Sequence, residues 1–183
     1  MNTEANKKIC EDGWESERLF YRKLLIEDTK DMYEYASEEK TCQFLKWGPY
    51  TDISQAKNFI AEKIDNYEAP TDILFGIELK EEKKLIGVVR IYNISEDCAD
   101  ISYIQNPLFC GKGYMMETVK EMIKICFTKL NVSVVQAYFL EGNTRSEKVM
   151  INSGMKKDES YEDYEVIKGK TGRVLRYRIE RGN

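Results

Sequence analysis

Between residues 72 and 140 the apolar pattern changes period twice, and that succession constrains the fold more than any other feature of the chain. DILFGIEL and KLIGVVRIY are strand-like runs joined by the charged turn KEEK, and a third run, CADISYIQ, stops at Asn106-Pro107. Successive strands with short connections form an antiparallel meander. From Lys112 the period becomes helical. Met115, Met116, Val119, Met122, Ile123, Cys126, Phe127 and Leu130 mark one face, and Glu117, Lys120, Glu121 and Lys124 lie opposite. VSVVQAYFL then reads as a buried strand. A strand, a long helix and a strand in succession require a parallel crossover. The expected fold class is therefore α/β, with a mixed, mostly antiparallel sheet flanked by about four helices.

The flanking segments fit that frame. ERLFYRKL reads as a strand, and Glu27 and Asp28 open a helix through EDTKDMYEYASEE, where acids in a first turn are favourable. The aromatic loop FLKWGPYTD leads into TDISQAKNFIAEKIDNY, whose Ile53, Ala56, Phe59, Ile60 and Ile64 recur at helical spacing until Pro70 ends the run. NTRSEKVMINSG is a short helix capped by Asn143 and ended at Gly154, and YEVIKGKTGRVLRYRIE is a closing hairpin. Residues 1–16 are polar and aperiodic, a flexible arm before one domain over 17–183. With 42% apolar residues in 183, that domain can bury a core without staples.

Composition removes whole classes of chemistry. The chain has no histidine, so imidazole-based nucleophile pairs and imidazole metal sites are excluded. Cys10, Cys42, Cys98, Cys110 and Cys126 are odd in number and widely spaced, which points to a reducing cytoplasm rather than to a disulfide framework or a zinc site. A formal charge of −4 with interspersed signs argues against nucleic acid as a partner. No charge-free stretch exceeds the eleven residues of Ile101–Gly111, too short to span a membrane, and the N-terminus has no apolar signal region.

The chemistry-bearing segment is ISYIQNPLFCGKGYMMETVKEMIKICF: a strand, a short loop, G-x-G and a long helix. Gly111 and Gly113 let backbone approach a ligand closely, and the unpaired N–H groups of the helix start favour an anion, with Lys112 adding charge. By itself G-x-G before a helix is equally an ordinary turn, and no G-K-[ST] opens the helix as a nucleotide-phosphate loop would require. Asp100 shares a strand face with Ser102 and is a candidate general base. Trp47 and Tyr50 either line an acceptor pocket or pin their loop.

Two motifs together are more specific. Y-I-x-x-P-x-x-x-G-K-G-Y-x-x-E over Tyr103–Glu117, followed by N-x-x-S-x-x-V-x-x-x-x-G-M over Asn143–Met155, resembles the paired core motifs of the GNAT N-acetyltransferase superfamily. The likeness is nearest to the ribosomal-protein N-terminal acetyltransferase (RimJ/RimL-like) branch and covers residues 17 to about 180. The resemblance implies a single-domain GNAT-like fold that binds acetyl-coenzyme A in a V-shaped gap between CADISYIQ and VSVVQAYFL. It places pantetheine along Tyr103, Ile104 and Gln105, and the pyrophosphate on Cys110, Gly111, Lys112, Gly113, Tyr114 and Met115. Asn143 matches the asparagine that reaches the pantetheine arm, and Ser146 the serine near the sulfur. Where other branches carry a tyrosine general acid this chain has Met150, which shifts that role to Ser146 or a water it holds. The implied reaction is metal-free acetyl transfer to a primary amine, such as a protein or peptide N-terminus, with a homodimer left open. The alternatives are a small acceptor (a polyamine, amino sugar or amino acid) and a catalytically silent acyl-coenzyme A binder.

Overall fold

The structure is a computed structural model that describes residues 11, 13–65, 67 and 72–182. The expected helix stop at Pro70, and residues 1–10 and 12 of the expected arm, lie outside the described residues. The meander forms as its pattern requires: β3 (Asp72–Leu79), β4 (Lys84–Tyr92) and β5 (Cys98–Gln105) pair antiparallel in sequence order. Two short strands precede it, β1 (Trp14–Glu15) and β2 (Leu19–Arg22), so pairing starts ahead of the expected first strand. That strand is also shorter than ERLFYRKL suggests. Arg18 gives its backbone N–H to a Glu117 carboxylate oxygen at 2.9 Å rather than to the ladder.

Five α-helices occur among the described residues: α1 (Thr29–Ala36), α2 (Glu39–Cys42), α3 (Ile53–Asp65), α4 (Tyr114–Thr128) and α5 (Thr144–Asn152). The one beyond the expected four is α2, a single turn too short to show a period. Glu27 and Asp28 do not begin α1 but sit in a 3-10 turn over Ile26–Asp28. The buried Asp28 carboxylate accepts a bidentate pair of bonds from Arg22, both 2.8 Å, and a third from Leu25 N–H at 2.7 Å, which fixes it ahead of the helix.

After α4 the chain enters β6 (Val134–Leu140), parallel to β5 as the crossover requires; β7 (Lys156–Lys157), β8 (Asp163–Ile167) and β9 (Lys170–Glu180) complete the sheet. The order is β1-β2-β3-β4-β5-β6-β9-β7, with β8 on β9. The face of α4 read from the sequence is buried, with Val119, Met122 and Cys126 fully enclosed against Phe75, Ile101 and Val135. Each such side chain contributes about 1.5–3 kcal/mol by leaving water. On the other face of the sheet, Met32, Tyr35, Ala56 and Ile60 of α1 and α3 cover Leu74, Leu85 and Val88.

One irregularity creates the site. β5 and β6 pair from Cys98 opposite Val134 to Ile101 opposite Ala137, and no further. Beyond that seam β5 continues against β4, and β6 against β9. Their facing backbone edges therefore part, which leaves a fork. Gly87 holds β4 tightly to the outer side of β5, since a Cβ there would collide with the Ile104 carbonyl oxygen.

Candidate active site

A cavity of about 840 Å³ occupies the mouth of the fork. Tyr103, Ile104 and Gln105 form one side, and the glycine loop with the start of α4 forms its floor. Gly111 and Gly113 both take φ +82°, a left-handed conformation that favours glycine. Gly113 is the N-cap of α4 and offers no side chain to its first-turn N–H groups, so they remain available to a ligand. Cys110, Gly111, Gly113 and Met115 line the cavity. Lys112 instead lies 5.4 Å over the Phe109 ring, and the Tyr114 ring is buried beneath the Arg18 guanidinium at 4.5 Å.

Sequence reasoning missed Arg18, which fastens the glycine loop without lining the cavity. Its guanidinium donates to the Lys112 carbonyl at 2.9 Å and pairs with Glu117 at 2.7 Å, while the Ser16 hydroxyl donates to the same carboxylate at 2.6 Å. Burial pushes the Glu117 carboxyl up, but the bonds from Ser16 and Arg18 outweigh it and leave it below the ordinary range. A clamp between residues 99 positions apart leaves no local signal; the only hint was Glu117 itself, inside the first motif.

The opposite arm begins at α5. Asn143 Oδ1 accepts the Ser146 N–H at 3.3 Å, the expected N-cap. The Tyr103 hydroxyl donates to the Ser146 carbonyl at 3.1 Å, tying β5 to α5 across the fork, and burial pushes its pKa well up. Asn143 and Ser146 thus meet Tyr103, Ile104 and Gln105 at one cavity, as the two motifs imply. Burial also pushes the Cys110 thiol up against a smaller opposing effect of Arg145.

The remaining wall comes from Lys40, Thr41, Gln43, Phe44 and Leu45, in and just after α2, and was not anticipated. Lys40, Arg145 and Lys148 line the cavity, and no Asp or Glu does among the described residues. Its electrostatics favour an anion.

Besides Lys112 and Tyr114, three expected site residues, Asp100, Trp47 and Tyr50, do not line the cavity. Asp100 lies on the paired seam, 6% exposed, accepting from Asn93 Nδ2 at 2.9 Å and Gln136 Nε2 at 3.2 Å. Trp47 and Tyr50 stack on each other at 5.1 Å and pack against the α1–α3 core, where burial pushes the Tyr50 hydroxyl up. Met150 is core, 2% exposed. No cluster of three or more metal-ligating side chains occurs among the described residues, nor is any helix there long and apolar enough to cross a membrane.

Residues 18–156 match the family described as acetyltransferase (GNAT) domain. The uncharacterized N-acetyltransferase p20 of Bacillus licheniformis is 31% identical over 157 residues, covering 85% of this chain and 88% of the relative. The [ribosomal protein uS5]-alanine N-acetyltransferase of Escherichia coli is 25% identical over 165 residues, covering 84% and 83%. A GNAT-family acetyltransferase structure from Bacillus anthracis superimposes with a TM-score of 0.79 at 23% identity, covering 92% of this chain and 98% of that one.

Proposed function

The chain belongs to the GNAT acetyltransferase family, and from that premise we propose that this N-acetyltransferase passes acetyl from acetyl-coenzyme A directly to a primary amine, the α-amine of a protein or peptide. The fork carries this reading. It presents unpaired strand backbone on β5 suited to an amide-containing arm, and beside it an uncapped helix start suited to a diphosphate, all within a cation-lined wall. The RimJ/RimL-like motifs and the likeness to the uS5-alanine enzyme support a peptide acceptor. A polyamine fits less well, because Arg145 and Lys148 beside the coenzyme site and Lys40 on the facing wall all repel a polycation.

Chemically, a neutral amine attacks the thioester carbonyl carbon, the C–S bond breaks, and the departing thiolate takes a proton while the nitrogen loses one. The Tyr103 hydroxyl is committed to the Ser146 carbonyl. Ser146, on the cavity wall, or a water it holds supplies the thiolate's proton. Asp100 is already held by two amide donors, so its part is to brace the seam. Fixing amine and thioester in one orientation supplies much of the rate.

The test is release of free coenzyme A thiol when acetyl-coenzyme A is offered with a panel of peptides differing at the first residue, alongside spermidine and free amino acids. Mass spectrometry should find the acetyl group on a peptide α-amine. Thermal stabilisation by acetyl-coenzyme A without turnover on any amine would instead identify a silent binder.

A further inference from the structure

The wall formed by Lys40, Thr41, Gln43, Phe44 and Leu45 belongs to neither motif. With coenzyme assigned to β5, the glycine loop and α5, this wall is what an incoming amine meets. It is lightly built. Helix α2 is one turn with no side-chain bond to its N-cap. Its local backbone bonds are Thr41 and Cys42 N–H to the Glu38 carbonyl and Leu45 N–H to the Cys42 carbonyl, and the buried Cys42 thiol adds a weak bond to the Ala36 carbonyl at 3.5 Å. Thr41 Oγ1 is buried without a hydrogen-bond partner, an expense that stable packing normally removes. Such a segment has little local stability of its own and is held from outside.

The β8–β9 hairpin holds it. Ile167 pairs with Lys170, so the turn is the two residues Lys168-Gly169, at φ +51° and +77°. A two-residue turn with positive φ at both positions favours Asn-Gly, and lysine is a strained choice for the first of them. The Lys168 ammonium donates to the Cys42 carbonyl at 2.8 Å. The Cys42 thiol registers the contact: burial pushes its pKa up, and Lys168 pulls it back. A second tie joins the same two pieces, an ion pair between Lys46 and Glu165. Strain at the turn and a long-range bond from the strained residue point the same way.

We propose that Lys168 is a positioning residue for the acceptor: by holding the Cys42 carbonyl it fixes the wall that the amine meets, and so sets the affinity for the amine rather than for the coenzyme. This rests on the cavity being an acetyl-coenzyme A and amine site. Lys168→Asn in the full chain tests it, because asparagine suits the turn while its short carboxamide replaces the long stem and ammonium that reach Cys42; Lys168→Arg keeps a donor there. Lys168→Asn should keep its unfolding midpoint within about 4 °C of the parent. The Thr41, Cys42 and Leu45 amides should exchange about tenfold faster or more. The KM for the amine found by the peptide panel should rise about fivefold or more, with the acetyl-coenzyme A KM changed less than about twofold, and Lys168→Arg should restore most of the difference. Unchanged exchange at those amides overturns the clasp. Faster exchange with an unchanged amine KM, or both KM values raised alike, overturns the positioning role alone. A parent protein that acetylates no amine overturns the reading beneath it.

Discussion

Gly113 shapes the start of α4 through its backbone, lining the cavity at φ +82° with no side chain over the first N–H groups of the helix. A Cβ at Gly113 would stand 3.4 Å from the Arg18 guanidinium, whereas one at Gly111 would meet nothing within 4 Å. Gly113→Val should raise the coenzyme A dissociation constant more than about tenfold, near 1.4 kcal/mol, by calorimetric titration. Gly111→Ala carries only the backbone strain, about 1–2 kcal/mol of stability. Unchanged affinity in a folded Gly113→Val protein would remove the glycine loop from the binding site. Asn143 poses the complementary question, because its side chain already caps α5. Asn143→Asp keeps an acceptor for the Ser146 N–H and adds charge that a helix start tolerates, so the melting temperature should survive. The same charge enters a wall free of carboxylates, so coenzyme A should bind about tenfold more weakly. Equal affinities would leave Asn143 with the cap alone.

Helix α4 carries the glycine loop, and the Arg18–Glu117 clamp fastens the start of that helix to the residues before β2. The folded Glu117 carboxyl titrates below the ordinary range, so on acidification the unfolded chain takes up its proton first. Its stabilisation is complete above the unfolded value near 4.3 and is lost as pH falls through the lower folded value. Melting temperatures between about pH 5 and 3 should therefore fall more steeply for the parent than for Glu117→Gln. Parallel acid limbs would show that the clamp contributes nothing through charge. The clamp also shows which elements were legible. β3, β4, β5 and α4 could be read because each repeats its apolar signal over at least eight residues. α2 could not, since four residues hold no period, and the parting of β5 from β6 left no mark in the apolar pattern because both strands remain apolar on their core side; the V-shaped gap was expected from the family resemblance alone. Asn143, Ser146 and Tyr103, which the two motifs singled out by their spacing, line one cavity. The Lys40–Leu45 wall was missed because it joins the site only through tertiary packing. Trp47 and Tyr50 were read from aromatic content, which here serves the α1–α3 core.

For the molecule as a whole, the surroundings of the four described cysteines bear on the order of the reaction. Burial pushes the thiols of Cys42, Cys98 and Cys110 up and that of Cys126 to about 12. An acetyl-cysteine intermediate needs a thiolate, and these surroundings oppose one. A variant with all five cysteines replaced by Ser or Ala, once shown to fold, should keep its turnover within about fivefold, and initial-rate plots of the parent should intersect. Parallel plots together with acetyl found on a cysteine before amine is added would refute direct transfer. The fork has a mechanical consequence as well. The seam from Cys98–Val134 to Ile101–Ala137 is the one strand ladder among the described residues that joins the half-sheet of β1–β5 to that of β6–β9, so tension applied between β4 and β9 loads a zipper shorter than the ladders on either side of it. A ligand arm bonded to the open edge of β5 and pressed against α5 would act as further rungs of that zipper, so that the coenzyme is at once a reactant and a splice between the two halves of the sheet.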